Sequence, residues 1–124
     1  MNFIPKLLRI LLGLFMILNA GVGLFMPIEN APMSPETLKI VKSFWDTGYL
    51  MHVVKLIELI VGLLLTFGLY VPLALIIFAP ILFNIFLLHI FYEPLGLTLS
   101  LPMTIIVIVL ARQNWDSYRL LFNR

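Results

Sequence analysis

The chain contains no cysteine, which excludes disulfide exchange, thiolate nucleophiles and iron–sulfur ligation by this chain alone. Charge is nearly as scarce. Asp, Glu, Lys and Arg make up 11% of the 124 residues, and a net charge of +2 is too small to argue for nucleic acid. There are two histidines, His52 and His89, and no third ligand beside them to complete a transition-metal site, so no metal is expected. Neither a nucleotide-binding motif nor an internal repeat stands out.

What the chain has in quantity is apolar surface. Hydrophobic residues make up 62% of it and the mean hydropathy is +1.11, far outside the range of soluble domains. Four long apolar runs predict an all-α integral membrane four-helix bundle. Residues 1–124 form one membrane domain, with spans at about 7–26, 48–70, 72–92 and 95–111. No room remains for a separate soluble domain.

Punctuation between the runs defines the connections. Lys6 and Arg9 at the start of the first run, with its apolar middle, resemble a secretory signal, but no A-x-A site follows and more spans do, so the segment is expected to stay. Pro27, Pro32 and Pro35 then break the apolar pattern. Ser34-Pro35-Glu36 reads as a helix start, with Ser as N-cap and Glu near the positive dipole end. Leu38, Val41 and Trp45 recur at helical spacing while Lys39 and Lys42 fall elsewhere. This predicts a short interfacial amphipathic helix at about 35–45. Gly68-Leu-Tyr-Val-Pro72 makes the second and third spans an antiparallel hairpin, and Pro94 and Gly96 mark the next join. Residues 114–124 read as a polar, surface-lying tail with Trp115, Tyr118 and Leu121 on one side.

Lys6, Arg9, Arg112, Arg119 and Arg124 lie on one side of the spans and only Lys39 and Lys42 on the other. The excess predicts an N-in/C-in topology with both termini cytoplasmic. Trp45, Tyr49, Tyr70, Tyr92 and Trp115 fall near span ends, where interfacial aromatics are enriched.

Against this background His52, Lys55 and Glu58 are conspicuous, because they interrupt the second span. A charge at the centre of a span costs roughly 2.5–3.5 kcal/mol even on lenient insertion scales. At about 100° per residue the three step round the helix by about −60° each, and Gly62 and Thr66 share their arc. That polar face is expected to point into the bundle. Lys55 and Glu58 are one turn apart and can pair. Glu58 should sit deepest, roughly 15 Å in, with His52 toward the outer mouth. Three readings stay open: a structural ion pair that fixes helix rotation, a ligand or proton site opening outward, or Lys55 snorkelling to the interface.

Asn19 in the first span and Asn84 in the third are the expected hydrogen-bonding companions, and His89 lies at the depth of His52. Gly13, Ile17, Ala20 and Gly21 form a small-residue stripe for close helix packing. Pro80 and Pro102 fall inside spans, where they free carbonyls and bend helices.

Arg9-Ile-Leu-Leu-Gly-Leu-Phe, Thr47-Gly-Tyr-Leu and Lys55-Leu-Ile-Glu58-Leu-Ile-Val-Gly62-Leu-Leu-Leu resemble the DoxX-like family of small bacterial membrane proteins. Val71-Pro72-Leu-Ala74, Ala79-Pro80-Ile, Asn84-Ile, Leu88-His89-Ile-Phe91 and Glu93-Pro94-Leu-Gly96-Leu extend the resemblance along most of the chain. It implies a four-helix bundle in the bacterial inner (cytoplasmic) membrane. It also implies that Lys55 and Glu58, with Asn84 and His89, occupy the family's typical polar positions. Many members carry a lysine just after the glycine that ends the first span. Gly21-Val-Gly-Leu-Phe25 has no charge here, so no role for that lysine carries over. Some relatives are subunits of quinone-linked sulfur oxidation, and others support redox or maturation complexes.

Three functions follow as expectations. A non-enzymatic accessory module would bind a partner protein or small amphiphile at an outward-facing polar cleft. A subunit of a quinone-linked oxidoreductase would hydrogen-bond a quinone through His52, Lys55 or His89, with the redox cofactor on another subunit. A proton-coupled transporter would use Glu58, and four helices are few for alternating access unless the chain forms a homo-oligomer. The lipid bilayer, a membrane or redox partner protein and a second copy are the expected partners. The isolated chain reads more as a binding module than as an enzyme.

Overall fold

The computed structural model of the chain describes residues 3–25 and 34–122. It is helical throughout, in the order α1 (Phe3–Phe25), α2 (Pro35–Asp46), α3 (Leu50–Phe67), α4 (Val71–Tyr92), a 3₁₀ turn (Pro94–Gly96), α5 (Leu97–Gln113), α6 (Trp115–Tyr118) and a last 3₁₀ turn (Arg119–Phe122). Four helical segments are long and apolar enough to cross a membrane: Phe3–Phe25, Leu50–Phe67, Val71–Tyr92 and Pro94–Gln113. The first begins earlier than the hydropathy pattern indicates, because Pro5 and Lys6 fit a first helical turn. Met26, Pro27, Pro32 and Arg124 lie outside the described residues.

α1 packs along α3, α3 against α4, α4 against α5, and α5 closes the ring against α1. Glycine sets the tightest of these seams. A Cβ on Gly13 would lie 2.5 Å from Thr66 Oγ1 and 2.8 Å from the Gly62 carbonyl, and one on Gly62 would lie 2.9 Å from the Gly13 carbonyl. The two backbones therefore touch, as small residues allow in membrane helices. Gly21, placed in the same stripe on sequence grounds, meets nothing within 4 Å, while Gly23 does the work by lying under the Lys55 side chain. Pairing Gly13 with Thr66 and Gly62, Asn19 with Glu58, and Gly23 with Lys55 makes α1 and α3 antiparallel.

Gly68 ends α3 at φ 72° and Tyr70 follows at φ 50°, so the chain reverses within three residues into Pro72 at the first turn of α4. The Arg9 guanidinium lies over this turn, with Nη1 2.9 Å from where a Gly68 Cβ would be. A cation there faces the negative end of the α3 dipole.

The apolar core is lopsided. Leu12, Val61, Leu65, Val71, Ala74, Leu75, Phe78, Val107 and Leu110 lie in the half of the bundle toward the α3–α4 turn, with Met16 and Leu82 near its middle. In the other half, the α2 end, the buried set is sparse and includes Glu58, Ser100 and Thr37. The tail also departs from a one-sided surface helix. Tyr118 packs on the core and its hydroxyl donates to the Pro72 carbonyl at 2.9 Å, while Trp115 and Leu121 stay exposed. Burial pushes the Tyr118 phenol above its ordinary value.

α2 lies across the α2 end, touching α3 and α4. Ser34 caps it as the Ser-Pro-Glu start implies: its Oγ accepts from Thr37 N–H at 3.3 Å. The Ser34 N–H donates to Glu93 Oε1 at 2.6 Å, and the Ser34 and Thr37 hydroxyls donate to the Tyr92 carbonyl at 3.2 and 3.3 Å. At the other end of α2 the Trp45 ring stands edge-on to His52, with centroids 5.0 Å apart. The helix is thus pinned to the end of α4 and to the start of α3. Thr37 and Val41 are buried, while Lys39 and Lys42 are exposed.

Candidate functional site: a buried carboxylate between α1 and α3

Glu58 is the one carboxylate buried among the described residues, at 3% exposure. Its position follows from the α3 arc that carries Gly62 and Thr66. Because Gly62 must meet the α1 backbone, Glu58 one turn earlier is carried inward with it. Two donors converge on its Oε2: Lys55 Nζ at 3.4 Å, one turn before it on α3, and Asn19 Nδ2 at 3.3 Å from α1. A carboxylate out of water needs both a counter-charge and hydrogen bonds, and this one has each.

Lys55 is only 13% exposed, so its ammonium lies between the buried carboxylate and the surface. Gly23 makes this possible, since a Cβ there would lie 2.5 Å from Lys55 Cε and 3.2 Å from Nζ. Lys55 starts five residues into α3, about 7–8 Å from the helix start, and Glu58 about 12 Å in. The charged pair occupies the half of the bundle where the apolar core is thin.

The structure brings together Asn19, Lys55 and Glu58, and separates the other three candidates from them. His52 is exposed and turned toward Trp45 on α2, because it stands at the first turn of α3, beyond the reach of α1. Asn84 is exposed on α4 and donates from Nδ2 to the Pro80 carbonyl of its own helix at 2.9 Å. His89 packs against Gly96, where a Cβ would come within 2.5 Å of its ring, and His89 Nδ1 is buried without a hydrogen bond among the described residues. Among the described residues no three His, Cys, Asp or Glu side chains group as metal ligands do.

Sequence reasoning missed Gly23 and the Ser34–Thr37–Glu93 latch. Gly23 lies four residues beyond Asn19 on the same face of α1, and that spacing was a usable signal. Glu93 had none, being one acid ahead of a proline.

No protein-family model, curated protein or solved structure matches the chain. Its class rests on its own architecture, an all-helical bundle with four helices long and apolar enough to cross a membrane.

Proposed function

We propose that the chain is a DoxX-like, multi-pass protein of the bacterial cytoplasmic membrane. In this reading it is a non-enzymatic accessory module that binds a small amphiphile at the α2 end through Lys55. The residue pattern supports the family, and the four apolar helices support the membrane. Lys6, Arg9, Arg112 and Arg119 gather at the end holding the α3–α4 turn, which favours a cytoplasmic location for that end and for both termini. α2, with its lysines outward and Thr37 and Val41 inward, then lies at the opposite interface.

One observation carries the binding reading: the Lys55 ammonium. It has three donors, one of which goes to Glu58, and among the described residues the others have no protein acceptor. Glu58 and Asn19 fix its position, and its depth matches the head group of an amphiphile whose tail lies along the bundle. The complementary ligand carries a carbonyl or anionic oxygen on an apolar tail. Quinone is one member of that class, and a quinone-linked oxidoreductase complex would use the same donors with its redox cofactor on a partner subunit. A proton-coupled role for Glu58 draws less support, because the carboxylate already holds a counter-ion.

The test is mass spectrometry of the organic extract of the purified protein. The reading expects one amphiphile retained near stoichiometry. A quinone would assign the oxidoreductase reading, and an extract with only bulk lipid, together with a co-purifying protein, would favour a partner-protein module instead.

A further inference from the structure

α4 has two opposed faces. Val71, Ala74, Leu75, Phe78 and Leu82 are buried in the bundle. On the far side Leu73, Ile77, Pro80, Asn84 and Phe91 are all exposed, at steps of four, three, four and seven residues. That spacing is the seam of a helix pair, with one polar residue in it, a device that fixes register and copy number.

Asn84 is eight residues from the end of α4, about 12 Å, which puts it at the depth of Glu58 but on the outside of the bundle. A carboxamide offers two N–H donors and an acceptor oxygen. One donor goes to the Pro80 carbonyl, and among the described residues the other donor and the oxygen have no partner. In hydrocarbon such groups require one. Copies of a membrane protein share one orientation, so a two-fold axis along the membrane normal sets every axial residue against itself at equal depth. A carboxamide, being both donor and acceptor, satisfies itself across such an axis; a carboxylate or an ammonium would not.

We propose that two copies of this chain pair through the face of α4 bearing Leu73, Ile77, Pro80, Asn84 and Phe91, with Asn84 hydrogen-bonded to its counterpart. The pairing requires that α4 cross a bilayer and is independent of the Lys55 site, which lies between α1 and α3. It leaves α2 and the Lys55 end of each copy free.

The absence of cysteine allows a direct test in lipid vesicles. Ile77→Cys should form a disulfide-linked dimer on mild oxidation, whereas Ile60→Cys, more exposed but on α3, should not. Energy transfer between labelled copies, followed on dilution with lipid, should show dissociation about 3- to 30-fold easier for Asn84→Leu, with Asn84→Gln restoring most of the difference. Ile77→Cys leaves the amide in place, so it reports even if Asn84→Leu folds poorly. A monomer at every dilution, linking at position 60 rather than 77, or linking at 77 only to a different protein would each overturn the pairing.

Discussion

The Asn19 carboxamide on α1 donates to the Glu58 carboxylate on α3 across 3.3 Å, bridging helices 39 positions apart in the chain. The same oxygen takes the Lys55 ammonium at 3.4 Å. One buried oxygen therefore ties α1 to α3 and holds a cation near the bundle surface.

Breaking this cluster one member at a time should be worse than removing the pair. Glu58→Gln alone strands the ammonium, and Lys55→Met alone strands the carboxylate, each costing about 3–5 kcal/mol. The double variant, with both charges gone, should recover most of that stability. Reversible unfolding in mixed micelles measures the cycle. Equal and additive losses would mean that the two charges do not couple.

The α1–α3 seam predicts unequal responses to the same small change. Gly62→Ala forces a methyl to 2.9 Å from the Gly13 carbonyl, and Gly13→Ala forces one to 2.5 Å from Thr66 Oγ1, so each should lose about 1–3 kcal/mol. Gly21→Ala meets nothing within 4 Å and should be neutral or slightly stabilising. Thermal melts of the three variants in one detergent make the comparison.

Tyr118 makes the tail sensitive to alkali. Its folded phenol is raised above the unfolded value of roughly 10, so its contribution is complete below that pH and is lost as pH rises through the folded value. Its hydrogen bond to the Pro72 carbonyl also needs the proton. Wild type should therefore lose stability above about pH 10 by a step that Tyr118→Phe lacks. The variant should instead be weaker by about 1 kcal/mol at neutral pH.

The α2 latch should open at its N-terminal end. Ser34→Ala removes the cap and the bond to the Tyr92 carbonyl, costing about 1 kcal/mol locally. Glu93→Leu leaves the Ser34 N–H without its acceptor. Hydrogen exchange should quicken across α2 in both variants and stay unchanged at α4 residues of the core. Unchanged α2 protection would mean that Thr37, Val41 and Trp45 hold the helix without the Ser34 contacts.

The four apolar helices, α2 and the tight turn at Gly68 were legible because hydropathy, caps and prolines are local signals. The Lys55–Glu58 pair was legible because one helical turn separates its members, and Asn19 because it is a polar residue on a small-residue helix. Asn84, expected as a hydrogen-bonding companion of Glu58, instead donates to the Pro80 carbonyl of its own helix. Depth can be read from position in a span, but helix rotation is set by packing. Gly62 against Gly13 turns α3, and the core face from Val71 to Leu82 turns α4, leaving Asn84 outside. Tyr118 was misjudged as a surface residue because its anchor, the Pro72 carbonyl, is 46 positions away.

The central claim is that the Lys55 ammonium, held by a Glu58 carboxylate that Asn19 also bonds, binds an amphiphile. The most direct measurement is the amount of extractable amphiphile bound by Lys55→Met/Glu58→Gln, purified beside wild type and checked for equal thermal stability. The account predicts a folded double variant from which the amphiphile retained by wild type is gone. A folded double variant that retains it in full would contradict the claim and leave the pair a structural one.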